Sequence, residues 1–325
     1  GFTATQSLPV KVLEDSPKNH IEMHRVPIGV VGSITPWNWP LLIAIWHIAP
    51  AIRTGNTVVI KPSPFTPLST LRMIELISAA LPPGVVNVIA GGDELGAKLS
   101  QHPGIGKIIF TGSIPTGKKI MASAAPTLKA LTLELGGNDP GVVLPDANVE
   151  QLAEGMFWGA FINSGQTCAA LKRLYVHDSL FDRTCAALVN IARKVPVGDG
   201  MVETNLLGPL QNERQYRKVV ELVEDAKRHG ARALIGGEPM AGPGYFYPVT
   251  LMTNIEDGTR LVDEEQFGPV LPILRYRDLD DVIARANRGD FGLAASVWGS
   301  DRAQLSAVAA RLEAGTVYIN KHADI

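Results

Sequence analysis

The feature that most constrains this chain is a rhythm that sets in at Val26, where short apolar runs begin to alternate with longer helix-like stretches. The runs are IGVVGSI (28–34), NTVVIK (56–61), VVNVIA (85–90), KIIFT (107–111) and ALTLEL (130–135). Between them lie helix-like stretches near 41–53, 67–80, 93–100 and 115–125. β-rich runs separated by helices predict βα units and a parallel sheet. The runs read as continuous apolar rather than alternating, as expected of strands covered on both faces.

A second block begins after Gly136-Gly137. Helices are predicted near 149–163, 179–193, 211–229, 278–288 and 301–313, and strands near 173–177, 231–235, 269–276, 293–298 and 315–319. In 211–229, Tyr216, Val219, Val223 and Ala226 recur at helical spacing, and Gly230 is the stop. The first 25 residues are polar and mixed, and VKVLED and HIEMHRV suggest an exposed hairpin. The fold expected is α/β in two domains, an open parallel-sheet, Rossmann-like domain over 27–136 and a second α/β domain over 137–325, preceded by a hairpin arm over 1–26.

Hydrophobic residues make up 46% of the chain and charged residues 19%, which supplies a core and excludes disorder as the main state. A net charge of −2 argues against a surface built to neutralise nucleic-acid phosphates. The longest apolar stretch, LLIAIWHIAPAI (41–52), falls short of the roughly twenty residues a membrane span needs, so it predicts a core helix. The seven His residues show no HExxH and no Cys/His cluster, so no metal site is expected. Cys168 and Cys185 are too few for a disulfide scaffold, and the expected setting is cytoplasmic and reducing. Gly1 is no initiator Met and the sequence stops after a strand pattern, so the ends of a longer chain are expected to be missing.

Several residues offer chemistry. Gly112-Ser113, with Gly117, Lys118 and Lys119 following, comes directly after a strand and opens a helix. It falls one residue short of a Walker A loop, because Lys119 stands where a Mg²⁺-binding hydroxyl is needed, although VVLPD (142–146) could pass for a Walker B strand. The other readings are a turn whose glycines receive a dinucleotide pyrophosphate, or a tight connection with no ligand. Cys168 follows a glycine-containing polar turn and is either a nucleophile toward carbonyl carbon or a small buried hydrophobe. Cys185, inside FDRTCAALVN, reads as core. Glu134, Asp139, Glu264 and Glu265 stand in apolar surroundings, where a carboxylate should have a raised pKa and can act as a general base, or else cap a turn. Lys61 closes a strand, at the end where doubly wound sheets bind ligands. Asn38, in Trp37-Asn38-Trp39-Pro40, either donates to an oxyanion or caps the next helix.

Together PWNWP (36–40), VVIKPS (58–63), FTGS with a second Gly five residues on (110–117), LELGG (133–137), GQTC (165–168) and EQFGPV (265–270) occur in this order. That ordered series resembles the aldehyde dehydrogenase superfamily across essentially the whole chain, and it gives the glycine loop a better account than a P-loop NTPase. The resemblance implies an oxidoreductase that converts an aldehyde to the carboxylic acid with NAD or NADP, through a cysteine thiohemiacetal and a thioester. It makes Cys168 the nucleophile, Asn38 the oxyanion donor together with the Cys168 backbone N–H, and Glu134 the base that activates water. Glu265 and Phe267 resemble the residues beside the nicotinamide ribose. Lys61 resembles an adenosine-ribose ligand, with Ser63 next to it, and Trp37, Gly112, Ser113 and Gly117 resemble the pyrophosphate turn. Trp39, Leu42, Ile43, Trp46, Ile162 and the region of His322 and Ile325 should form an apolar substrate pocket. The hairpin resembles an oligomerisation arm, so a homodimer or homotetramer is expected, with no nucleic-acid or membrane partner.

Two departures bear on these expectations. Pro64 stands where many NAD-preferring relatives carry a ribose-binding Glu, so no carboxylate repels a 2′-phosphate and the choice between NAD and NADP is open. Family members also continue beyond both ends, contributing the first strands of the cofactor domain. That shortness keeps a second reading in view, a catalytically silent relative that binds nucleotide or forms assemblies.

Overall fold

A computed structural model describes residues 8–323. Contacts divide the chain into two compact units, Gly1–Leu135 and Gly136–Ile325.

The first unit opens with β1 (Lys11–Asp15) and β2 (His20–Met23), an antiparallel hairpin exposed along nearly its whole length. At the surface its His20 is hydrogen-bonded with Asp15 and Glu22, and its His24 with Glu22. Then come β3 (Val30–Ile34), α1 (Pro40–Arg53), β4 (Thr57–Lys61), α2 (Pro67–Ser78), β5 (Val86–Val88), α3 (Asp93–Gln101), β6 (Lys107–Gly112), α4 (Ile114–Ala124) and β7 (Ala130–Leu135). The five strands β3 to β7 form one parallel sheet in the order β5-β4-β3-β6-β7. The chain winds outward from β3 to β5, then returns to lay β6 on the other side of β3. That reversal makes the carboxyl ends of β3 and β6 a topological switch point, where such sheets take ligands. Val31, Val58 and Ile60 form the core with Ala44, Ile48 and Ala51 of α1, as the run over 41–52 predicts.

The second unit contains β8 (Asp139–Val143), α5 (Val149–Phe161), β9 (Leu171–His177), α6 (Phe181–Ala192), α7 (Glu213–Arg228), β10 (Arg232–Ile235), β11 (Thr250–Thr253), α8 (Arg260–Asp263), β12 (Val270–Tyr276), α9 (Leu279–Ala286), β13 (Ala294–Trp298), α10 (Arg302–Ala309) and β14 (Thr316–Ile319). Its seven strands are ordered β10-β11-β12-β9-β8-β13-β14, parallel except for β10. On α7 the predicted Val219, Val223 and Ala226 are fully buried, Tyr216 packs at the edge, and Gly230 follows the helix at φ 93°. Asn212 caps its start by accepting from the Gln215 N–H. Strand β11 is an addition to the sequence reading, and β8 shares only Val142 and Val143 with the VVLPD run (142–146) that could pass for a strand. No helix among the described residues is long and apolar enough to cross a membrane.

Candidate active site

In the first unit, the residues singled out from the sequence gather at the carboxyl ends of adjacent strands. Trp37 and Asn38 follow β3, Lys61 ends β4, and Gly112 ends β6. Lys61 is buried, and its ammonium donates to the carbonyls of Pro62 and Gly91 at 2.9 Å each. Burial pulls its pKa down, and the nearby Asp93 charge works against that. Ser63 is buried beside it and accepts from the Phe65 N–H. Thr66 donates to the Trp37 carbonyl at 3.2 Å, which ties the PWNWP turn to the segment after β4. Ser113 caps α4 by accepting from the Thr116 N–H. Gly117 lets α4 ride close to the sheet, since a Cβ there would stand 2.7 Å from Leu135.

In the second unit, three motifs far apart in sequence converge at the amino ends of the adjacent strands β8, β9 and β12. Gly136-Gly137 precede β8, Cys168 precedes β9, and Glu265 and Phe267 precede β12. The double glycine has a steric cause. A Cβ at Gly136 would lie 2.6 Å from the Glu265 carboxylate, and one at Gly137 would lie 2.8 Å from the Cys168 carbonyl oxygen. The Gly137 N–H donates to Glu265 at 3.2 Å. Cys168 stands just after a left-handed stretch formed by Asn163, Ser164 and Gly165, at φ 52°, 56° and 71°. Left-handed backbone is costly for Ser. It is held by the Ser164 hydroxyl donating to the Gly208 carbonyl at 2.8 Å, and by Gln166 donating to Asn163 and accepting from the Gln211 N–H. A Cβ on Gly165 would collide with the Gly268 carbonyl, so the GQTC and FGP motifs are in backbone contact. The loop carrying Phe267, itself at φ 51°, is fixed from α7. There Gln215 donates to the Gln266 and Phe267 carbonyls, and Lys218 donates to that of Glu265.

The electrostatics separate these groups. Burial pushes the Cys168 thiol up, while the Lys172 charge and the Ala169 N–H pull the other way and Asp139 and Glu265 add to the rise. Burial likewise raises the Glu265 carboxyl against the pull of Lys172 and Lys218. Cys185 is buried in the core of α6, with its thiol pushed up to about 12. Among the described residues no group of three His, Cys, Asp or Glu is arranged to hold a metal.

Several expectations need correction. Glu134 is exposed, because it takes the opposite face of β7 from the leucines beside it, so its surroundings are not apolar. Glu264 is bound up in a surface ion pair with Arg260. Asp139 is buried as expected, and it accepts from the Ala294 N–H within the sheet. The cap position of α1 is taken by Trp39, so Asn38 is not the helix cap. Asp146, the Walker B candidate, accepts from the Ser300 and Asp301 N–H groups ahead of α10, while Lys118 and Lys119 are exposed on α4. Within the expected substrate pocket, Trp39, Leu42 and Ile162 are half-buried and Trp46 is exposed, but Ile43 is 2% exposed and belongs to the core. His322 is also buried, with Nδ1 2.8 Å from Ser296 Oγ and Nε2 3.5 Å from Asp139. Ile325 lies outside the described residues.

Sequence reading passed over Lys172, Gln215 and Lys218. For Lys172 a signal existed, because Lys172-Arg173 places two cations inside the otherwise apolar strand LKRLYV. Buried charges in such a strand require partners. Arg173 finds them in the carbonyls of Asn138 and Ala286.

A family model described as "Aldehyde dehydrogenase family" matches residues 3–325. Retinaldehyde dehydrogenase 3 of Mus musculus is 43% identical over 297 residues, 90% of this chain and 58% of that protein. Among solved structures, an NAD+ complex of aldehyde dehydrogenase from Bacillus cereus superposes with a TM-score of 0.94 at 39% identity, covering 98% of this chain and 65% of that one. An NADP-dependent enzyme of E. coli gives a TM-score of 0.94 at 37% identity, covering 97% and 66%. The chain thus spans about two thirds or less of the length of these relatives, and over that span it belongs to the aldehyde dehydrogenase family.

Proposed function

We propose that this chain carries the reacting groups of an NAD(P)+-dependent aldehyde dehydrogenase that releases the free carboxylic acid. The observation that carries the reading is the convergence of Gly136-Gly137, GQTC and EQFGPV ahead of β8, β9 and β12, where a Cβ at Gly137 would meet the Cys168 carbonyl and one at Gly165 the Gly268 carbonyl. The first unit suits a dinucleotide, because Lys61, the Gly112-Ser113 turn and the start of α4 all lie at the carboxyl ends of its parallel strands. When bound, NAD(P)+ supplies the hydride acceptor.

An aldehyde is a poor hydride donor, whereas the alkoxide of a thiohemiacetal expels hydride readily. The sulfur of Cys168 therefore bonds to the aldehyde carbon first. Because burial keeps the thiol protonated at neutral pH, a base must take its proton, and Glu134, directly or through water, is assigned that task. Asn38 and the Cys168 N–H stabilise the oxyanion, a contribution of about 3 kcal/mol per donor in comparable sites. Loss of hydride leaves a Cys168 thioester. Once Glu134 has passed the thiol proton to solvent, it deprotonates a water that attacks the acyl carbon; the C–S bond breaks, the acid is released, and the Cys168 thiolate takes the proton back from Glu134. Glu265 and Phe267 are assigned to the nicotinamide ribose and Lys61 to the adenosine ribose. The half-buried apolar residues Trp39, Leu42 and Ile162, with the exposed Trp46, favour an aliphatic or aromatic aldehyde over a charged one. The exposed hairpin β1–β2 is assigned to self-association as a homodimer or homotetramer, to be read by sedimentation after its deletion.

The test is formation of reduced nicotinamide by the full-length protein from a panel of aldehydes, with NAD+ and NADP+ side by side and Cys168→Ala as control. Turnover that disappears in the control supports the reading, and the cofactor ratio reports what Pro64 does. Nucleotide binding without thiol-dependent turnover would overturn it in favour of a silent relative.

A further inference from the structure

Lys172 is a buried cation of the second unit. It sits on the second residue of β9 with its side chain 2% exposed. Its ammonium donates to the Thr167 carbonyl at 2.8 Å and to the Cys168 carbonyl at 2.7 Å. The Glu265 carboxylate lies 3.7 Å away and the Phe267 ring centroid 5.7 Å away. Its own backbone is pinned by Gln266, which donates to the Lys172 carbonyl at 3.0 Å.

An unpaired charge so deeply buried would be costly, and here all its partners belong to the GQTC and EQFGPV motifs. The contact with the Cys168 carbonyl has a consequence across the peptide. The oxygen held by Lys172 and the N–H of Ala169 are the two ends of one peptide group, and that N–H faces the Cys168 sulfur. A cation on the oxygen draws electron density from the nitrogen, which strengthens the N–H as a donor, as in any polarised hydrogen-bond chain. Room for this arrangement depends on Gly137, whose missing Cβ leaves the Cys168 carbonyl free to turn toward the ammonium.

We propose that Lys172 is a positioning residue for the nucleophile: through the Cys168 carbonyl it orients and polarises the Cys168–Ala169 peptide toward the sulfur, and it holds Glu265 in the same charge field. The inference rests on Cys168 being the nucleophile. The charged groups acting on that thiol are Lys172 on β9, Asp139 at the start of β8 and Glu265 ahead of β12. Lys172 is the one that favours the thiolate.

The test is the pH dependence of Cys168 alkylation by iodoacetamide in the full-length protein, resolved from Cys185 by peptide mass spectrometry. Lys172→Met, which keeps the stem and removes the charge, should move the midpoint to higher pH and slow alkylation at pH 7.5 about tenfold. Lys172→Arg should recover a large part of that loss. A Lys172→Met protein that unfolds cooperatively but alkylates with the wild-type pH profile would overturn the proposal, as would an Arg variant no better than Met. Should Lys172→Met fail to fold, Glu265→Gln decides. Removing the neighbouring anion should lower the midpoint, and an unmoved midpoint overturns the shared field. Alkylation needs no turnover, so a wild type that alkylates as described yet oxidises no aldehyde would sink the enzymatic reading and leave the effect of Lys172 on the thiol standing.

Discussion

His47 gives the first unit a pH-dependent weakness whose size follows from its surroundings. The imidazole is 4% exposed on α1, with Nδ1 2.8 Å from Ser33 Oγ on β3 and Nε2 3.0 Å from Thr111 Oγ1 on β6. Each hydroxyl can donate or accept, so the neutral ring is fully satisfied, and protonation is opposed by desolvation alone. Burial holds the pKa at about 4, against 6.5 when solvated. The unfolded chain therefore takes up the proton first as pH falls. The stability this neutral histidine contributes is complete above about pH 7 and lost between pH 6.5 and about 4, roughly 3 kcal/mol in all. Carboxylates titrate in the same window, so the informative quantity is the difference between wild type and His47→Gln, which can keep a hydrogen bond but cannot titrate there. At pH 7.5 the variant should be less stable by about 1–2 kcal/mol. By pH 4.5 the difference should have moved by about 2–3 kcal/mol in the variant's favour. Urea unfolding read by pulsed hydrogen exchange on peptides from β3, β4 and β6 isolates the unit, and comparison at equal pH cancels intrinsic exchange rates. Two proteins that lose stability in parallel across the window would refute the reasoning.

Three further perturbations test the sites described above. Glu134→Gln should keep a burst of reduced nicotinamide if another group or water takes the thiol proton, while steady-state turnover falls about 10²–10⁴-fold because the thioester waits for water; rapid-mixing absorbance with added hydroxylamine separates the two phases. Gly137→Ala should displace the Cys168 carbonyl, with which its Cβ would overlap at 2.8 Å, and lower kcat about a hundredfold while the overall fold persists by circular dichroism. Asp257→Ala removes the carboxylate that accepts from Tyr175 at 2.7 Å and from Arg285 at 2.6 Å, leaving a largely buried guanidinium without its main anion. It should destabilise the second unit by about 3 kcal/mol in urea unfolding.

The fold was legible wherever a strand is both central and unbroken. Residues 28–34, 56–61 and 107–111 are read directly from their apolar runs, because a strand covered on both faces has no polar positions to interrupt the pattern. β8 was legible only at its end, Val142-Val143, although it is buried along its whole length, because it begins Asp-Pro-Gly, which ordinarily signals a turn. The sheet accommodates Pro140 by a register shift against β9 between Asp139 and Pro140, where a ladder donor would otherwise be missing. β11 is only four residues, TLMT, too short for its pattern to stand out, and it gains its place by pairing with β10 on one side and β12 on the other.

The site divides along a similar line. Cys168, Gly137 and Glu265 are legible because each stands in a short run of unusual composition, GQTC, LELGG or EQFGPV, even though the contacts that fix them come from far along the chain. Lys172 is not, because a lysine gains its meaning from what surrounds its ammonium, and those acceptors are the backbone carbonyls of Thr167 and Cys168 and a carboxylate nearly a hundred residues further on. A backbone carbonyl carries no signature in sequence. The same holds for Gln215 and Lys218, which grip the carbonyls of Glu265, Gln266 and Phe267 from a helix whose pattern announces only its buried face. Residues that act through the main chain of others are thus the ones a sequence hides. In this protein they surround the Cys168–Ala169 peptide, so the fixed geometry of Cys168 depends as much on Lys172 and Gly137 as on the turn that delivers it.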